Sequence, residues 1–179
     1  TLQPGERMGL IGESGSGKTT MVTALMRLTR APAYIAGGQV LLEGKDLLSI
    51  SDEALRKLRL KEIALMPQAA MNSLNPVARV APQLKDGLRV HGLKLAEKAL
   101  DEKVVEVLSK VGLRPEVADR FPHQLSGGMK QRAAMAVAIS LRPKVIIADE
   151  PTRALDVVVQ KQVMLTLSRL QEELNAAVV

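Results

Sequence analysis

One stretch restricts the possible folds of this 179-residue chain more than any other: Gly12-Glu13-Ser14-Gly15-Ser16-Gly17-Lys18-Thr19. Its spacing is G-x-x-x-x-G-K-[ST]. The run before it, Arg7–Ile11, is short and largely apolar, which predicts a buried strand, and Pro4-Gly5 marks a turn ahead of that strand. A helical pattern follows from Thr19 to about Leu28. The glycines let backbone N–H groups wrap phosphate oxygens, and the helix start adds unpaired donors. Lys18 reaches the β- and γ-phosphates of a nucleotide, and the Thr19 hydroxyl is placed for Mg²⁺. The predicted phosphate cradle comprises Gly12, Ser14, Gly15, Ser16, Gly17, Lys18, Thr19 and Thr20. A strand that feeds a helix through such a loop belongs to an open α/β sheet.

Three further stretches carry chemistry. Val145-Ile146-Ile147-Ala148-Asp149-Glu150 is an apolar run that ends in two acids. The run reads as a central parallel strand buried on both faces. Asp149 at its end is a candidate Mg²⁺ ligand, and Glu150 a candidate base for an attacking water. Gln68 stands just past another apolar strand candidate, Glu62–Met66, which Pro67 stops. Ligands of parallel sheets bind at that end of the strands, although a surface-loop glutamine is the better reading of the residue taken by itself. Leu125–Arg132, LSGGMKQR, places Ser126, Gly127 and Gly128 before a predicted helix from Met129 to Leu141. Such a helix start suits an anion, and a Ser-capped helix with a glycine-rich lead-in is the plain alternative.

The remaining pattern supplies a frame. Strands are predicted over Gln39–Glu43, with a turn at Gly44-Lys45, and over Ala176–Val179. Helices are predicted from Ser51 to about Arg59 and over Val157–Leu174, the latter with Val159, Val163, Leu167 and Leu170 on one face. From Val80 to Lys110 the pattern is helical, with Ala99, Val104, Val105, Leu108 and Val111 as its apolar stripe. Composition narrows the partners. The net charge of +6 is scattered rather than blocked, and with one Phe, one Tyr and no Trp there is no base-stacking surface, so no nucleic acid is expected. Zero cysteines exclude disulfides, Cys–zinc sites and thiol catalysis. No apolar run reaches the ~18 residues of a membrane span.

Taken in order, Gly12–Thr19, Gln68, Leu125–Arg132 and Val145–Glu150, with Ala154-Leu155-Asp156 behind them, resemble the nucleotide-binding subunits of ATP-binding-cassette (ABC) transporters over nearly the whole chain. The resemblance implies an α/β fold, a P-loop NTPase (RecA-like) parallel-sheet core over residues 1–69 and 144–179, with an inserted α-helical subdomain over 70–143. It implies ATP and Mg²⁺ as cofactors, with Thr19, Gln68 and Asp149 around the metal and Lys18, Gln68 and Glu150 as the catalytic set. Ser126, Gly127 and Gly128 become a signature that contacts the ATP of a partner protomer, and Ala154–Asp156 a loop at the dimer seam. Asn72-Ser73-Leu74-Asn75-Pro76 and Phe121-Pro122-His123-Gln124 resemble the ATPases of peptide/nickel importers, as do Ala148–Thr152 and Ala154–Val157. Expected partners are a second ABC ATPase subunit, identical or paralogous, transmembrane permease subunits and, indirectly, an extracytoplasmic solute-binding protein. The expected place is the cytoplasmic face of the cell membrane.

The chain departs from this family in several places. Arg153 stands where Ser or Thr is usual, a long cation at a dimer seam that either disturbs packing or finds an acidic partner. No aromatic residue precedes Gly12 to stack on adenine, and neither His91 nor His123 holds the place of the family's switch histidine. His123 reads as a structural residue. The chain thus reads as a piece clipped at both ends, expected to bind ATP weakly by itself and to turn over little. Lost stacking is worth ~1–3 kcal/mol by analogy with nucleic-acid bases. Two alternatives stay open: a soluble ABC ATPase acting on DNA or ribosomes, and a hydrolysis-deficient ABC fragment. About 105 residues separate the phosphate loop from the signature without sustained heptads, which disfavours the coiled-coil chromosome type.

Overall fold

The computed structural model describes residues 1–68 and 73–179. In chain order its elements are α1 (Lys18–Leu25), β1 (Leu41–Leu42), β2 (Lys45–Asp46), α2 (Asp52–Leu58), β3 (Ile63–Met66), α3 (Val80–Val90), α4 (Glu97–Lys110), α5 (Gly127–Ile139), β4 (Val145–Ala148), α6 (Val157–Leu174) and β5 (Ala177–Val178). Short 3₁₀ turns at Pro115–Asp119 and Pro122–Gln124 connect α4 to α5.

β4 is the centre of a parallel sheet ordered β3-β4-β5, with Arg7 bridged in parallel to Val178 on the far side of β5. Side chains alternate across the pleat, so each strand feeds two cores. Ile63 and Ile147 meet Val22 and Met26 of α1 on one face. On the other face Ala64, Met66 and Ile146 join Val163, Leu167 and Leu170 of α6 and Ala133, Met135, Ala136 and Ile139 of α5. The same apolar cluster continues through Leu84 of α3 and Val104, Val107 and Leu108 of α4. This is the P-loop NTPase α/β fold, a parallel sheet covered by helices on both faces.

Caps explain where the helices start and stop. Ser51 Oγ accepts from Ala54 N at 3.2 Å at the start of α2. Asp156 Oδ1 accepts from Val159 N at 3.0 Å at the start of α6, and Asn175 closes that helix with a left-handed φ of 51°. α6 keeps the bounds that the sequence predicts.

Three expectations change. Arg7–Ile11 is not a buried strand. Only Arg7 and its neighbours pair, through Val178 N to Glu6 O at 2.9 Å and Met8 N to Val178 O at 2.8 Å, and Ile11 is 96% exposed. Val178 spends its N–H on Glu6 and its C=O on Met8, and no described hydrogen bond joins residues 9–11 to β5. The helical run Val80–Lys110 is two helices. Gly92, at φ 85°, ends α3, with Gly92 N bonded to Arg89 O and Leu93 N to Leu88 O. Lys85 then reaches Glu97 at 2.5 Å and Asp101 at 2.7 Å, and Arg89 reaches Glu97 at 2.5 Å, joining α3 to α4. In α4 the buried positions are Leu100, Val104, Val107 and Leu108, while Val105 is exposed. Finally, the strand predicted at Gln39–Glu43 shortens to β1, and its turn is Glu43-Gly44, both at positive φ (50° and 79°). That geometry fits a two-residue type I′ hairpin, whose twist matches the strands it joins.

Candidate nucleotide site

Parallel pairing builds the site. Met66 lies opposite Ala148 at the end of the β3–β4 ladder, and Asp149 N extends it by bonding to Met66 O at 2.9 Å. Two residues further along each strand stand Gln68 and Glu150. The register therefore sets them side by side, and Gln68 Nε2 donates to Glu150 Oε2 at 3.1 Å. The chain then turns sharply. Glu150 has a left-handed φ of 46°, which a non-glycine residue adopts only at a cost of order 1–3 kcal/mol. Arg153 N bonds to Glu150 O at 3.1 Å, and Arg153 Nη1 donates to Glu150 Oε2 at 2.8 Å.

Gly12–Thr19 forms the loop that the spacing predicts. Gly15 and Gly17 sit at φ 83° and 91°, and Gly17 caps α1 without a side-chain partner for the first N–H groups of the helix. A Cβ on Gly12 would meet Ser16 Oγ at 2.7 Å, so a larger residue there requires the Ser16 hydroxyl to turn away. Lys18 Nζ donates to Gly12 O and to Glu13 O, each at 2.7 Å, which curls the ammonium over the loop. An ammonium has three N–H donors, so one remains for a phosphate oxygen. Thr19 and Thr20 are exposed on the first turn of α1. Lys18, Asp149 and Glu150 line one cavity of about 420 Å³ at the carboxyl end of β4, whose other walls come mainly from residues 7–10, β5 and α6; Gly12, Ser14–Gly17, Thr19, Thr20 and Gln68 do not line it.

The donor set fits Mg²⁺. The Asp149 side chain is buried, 7% exposed, and no side chain hydrogen-bonds to its carboxylate among the described residues. Gln68 spends its amide N–H on Glu150 and keeps its oxygen free of the described hydrogen bonds. No group of three or more His, Cys, Asp or Glu side chains converges among the described residues. Phosphate oxygens and water would supply the other ligands, the manner in which Mg²⁺ is usually held.

Ser126, Gly127 and Gly128 do not line that cavity either. Ser126 is exposed and caps α5, its Oγ accepting from Met129 N at 3.3 Å. Gly127 is half-buried. Gly128 is buried, and a Cβ there would meet Val159 Cγ1 of α6 at 2.5 Å. Its lack of a side chain is thus required by helix packing, whatever else it serves. His123 stacks on Phe121 with ring centroids 5.5 Å apart, and Arg79 lies over the same Phe121 ring, in keeping with a structural role. Asn72 and the expected boundary between residues 69 and 70 lie outside the described residues. The Gln68–Glu150–Arg153 contact is what sequence reasoning missed; its one signal was a cation three positions beyond the acid.

A phosphate-binding loop, two acids at the end of a central parallel strand and a glutamine beside them define a P-loop nucleotide-binding protein. Residues 1–153 match the ABC transporter family, and the chain belongs to that family. It is 46% identical over 171 residues to the dipeptide transport ATP-binding protein DppD of Caldanaerobacter subterraneus subsp. tengcongensis, covering 95% of this chain and 52% of that protein. It is 40% identical over 181 residues to the oligopeptide transport ATP-binding protein OppD of Bacillus subtilis, covering 99% and 50%. The chain spans about half the length of the curated relatives it matches. Among solved structures, the ATP-binding cassette MJ0796 in a dimeric post-hydrolysis state bound to ADP and Pi superposes with a TM-score of 0.86 at 29% identity, covering 100% of this chain and 75% of that one. CbiO1 from Clostridium perfringens, part of the ABC transporter complex cbiONQ, gives a TM-score of 0.77 at 27% identity, covering 99% and 66%.

Proposed function

We propose that this chain is the ATP-hydrolysing part of an importer for peptides or related solutes. The observation that carries the reading is one cavity lined by Lys18, Asp149 and Glu150, with Gln68 bonded to Glu150. Peptide import is supported by relatives named for dipeptide and oligopeptide transport.

Lys18 and the loop amides of Gly15–Lys18 bind the triphosphate, with Thr20 beside them. Mg²⁺, when bound through Thr19, Asp149 and Gln68, supplies neutralisation of phosphate charge. Glu150 accepts the proton of the attacking water. Phosphoryl transfer asks mainly for positioning and charge neutralisation, which these groups provide. Ser126, Gly127 and Gly128 serve the nucleotide of a second protomer, since this chain already has a full phosphate loop of its own. The dimeric state of the MJ0796 cassette supports that arrangement. The helices α3, α4 and α5, with the signature at the start of α5, form the arm that reaches across.

Among the described residues no helix is long and apolar enough to cross a membrane. The expected partners are permease subunits and, indirectly, an extracytoplasmic binding protein, with this chain at the cytoplasmic membrane face; the transport names of its relatives support that placement. The test is single-turnover ATP hydrolysis by the full-length protein carrying Glu150→Gln. The rate is expected to fall ~10²–10⁴-fold, the worth of a general base. A rate within twofold of the parent removes Glu150 from that role.

A further inference from the structure

The carboxylate of Glu150 is held from two sides by donors that share one oxygen. Gln68 Nε2 lies 3.1 Å and Arg153 Nη1 2.8 Å from Oε2. No described hydrogen bond reaches Oε1. We propose that Arg153 is a positioning residue for hydrolysis: it pins Glu150 by Oε2 and so leaves Oε1 as the oxygen that takes the water's proton. The proposal rests on the reading of Glu150 as the base.

The backbone explains why Arg153 is in reach. The left-handed φ of Glu150 starts a tight turn through Pro151 and Thr152, closed by Arg153 N bonded to Glu150 O. The turn brings residue 153 back over residue 150. Gln68 arrives from the other side by the β3–β4 register. Two side chains thus fix the carboxylate, one a neutral donor and one a cation, beside Asp149. A second negative group next to Asp149, facing a polyanionic substrate, is pushed outward by charge repulsion. The Arg153 guanidinium offsets that push at 2.8 Å.

The effect is modest by construction. The Arg153 and Glu150 side chains are 56% and 39% exposed, and ion pairs of that exposure contribute weakly and are screened by salt. Loss of the pair corresponds to at most about fivefold in rate. The contact is made by one guanidinium nitrogen, so a lysine ammonium reproduces it, which a bidentate contact would not allow.

The experiment is steady-state ATP hydrolysis by the full-length protein with Arg153→Ala, Arg153→Lys, Glu150→Gln and the Arg153→Ala/Glu150→Gln pair. Arg153→Ala is expected to lower kcat at least twofold with KM for ATP within twofold. Arg153→Lys is expected to recover most of that loss. In the Glu150→Gln background, removing Arg153 is expected to change nothing further. A kcat for Arg153→Ala that falls less than twofold, or rises, overturns the proposal, as does a change carried by KM or a lysine variant no better than alanine. Those results leave the base reading standing if Glu150→Gln is inactive. Full activity of Glu150→Gln sinks the base reading itself and the proposal with it.

Discussion

Replacing Gly128 with alanine drives two helices into each other. The added Cβ lies 2.5 Å from Val159 Cγ1, about 0.9 Å inside ordinary van der Waals contact. Val159 cannot swing away freely, because a β-branched residue in a helix has one strongly preferred rotamer. The clash is relieved either by leaving that rotamer, at about 0.5–1.5 kcal/mol, or by spreading α5 from α6, at about 1–3 kcal/mol as overpacking. Alanine recovers part of this through helix propensity, at most about 0.5–1 kcal/mol in a helix interior and less in a first turn. The net expectation is a loss of about 1–2 kcal/mol, or roughly 2–8 °C in Tm for a domain of this size.

The rescue is specific. Val159→Ala removes two partly buried carbons, at up to ~0.8 kcal/mol each. With that space open, the methyl group introduced at position 128 fits. Gly128→Ala/Val159→Ala should therefore match Val159→Ala alone, a coupling of about 1–2 kcal/mol in a double-mutant cycle. Thermal or urea unfolding of the four proteins measures it. A Gly128→Ala protein as stable as the parent, or a double variant whose losses simply add, refutes the packing account. Gly128 would then be explained by ligand approach alone.

Other perturbations have equally definite outcomes. Gln171 is buried and bonds to Gly5 O, to Ala176 O at 3.1 Å and, as acceptor, to Arg7 Nε at 2.7 Å; Gln171→Ala should cost about 1–3 kcal/mol per stranded buried group and speed amide exchange at Met8. Ser126→Ala should lose about 1 kcal/mol with the α5 cap, and Ser126→Asp should restore it in the same melt. Burial, ahead of any neighbouring charge, holds the His91 imidazole below its ordinary value, with the Arg56 and Lys61 cations adding to it. The folded state then binds fewer protons at His91 than the unfolded one, so stability present above pH ~6.5 is lost as pH falls from there through the lower folded value; in His91→Gln this part of the slope below pH ~7 should vanish.

What was legible in the sequence was local. The phosphate loop shows itself because glycine, lysine and threonine must stand at set spacings within one turn. β4 shows itself as an apolar run that ends abruptly in acids, and α6 as a periodic stripe between an Asp cap and an Asn stop. What stayed hidden depends on neighbours distant in the chain. Val80–Lys110 keeps helical periodicity across Gly92, so only the ion pairs of Lys85 and Arg89 with Glu97 reveal that the chain has folded back. Gln68 and Glu150 are 82 positions apart, and only the Met66–Ala148 register brings them together. Gly128 reads as a ligand-facing glycine until Val159 is seen against it.

These long-range contacts converge on one short segment. Asp149 closes the β3–β4 ladder, Glu150 meets Gln68, Arg153 returns to Glu150, Asp156 caps α6 and Val159 fills the space that Gly128 leaves. Residues 149–159 therefore touch the proposed metal ligand, the proposed base and the signature helix within a few turns of chain. A shift of α5 must be taken up at Val159, one helical turn from the Asp156 cap, because close-packed helices lack free space to absorb it. The signature is thus tied by packing to its own chain's acid loop, even though the nucleotide it is proposed to serve belongs to a neighbour. On this account, variants at Gly128 and Val159 that keep the fold should alter hydrolysis through kcat, with KM for ATP unmoved, since neither residue lines the cavity of Lys18, Asp149 and Glu150.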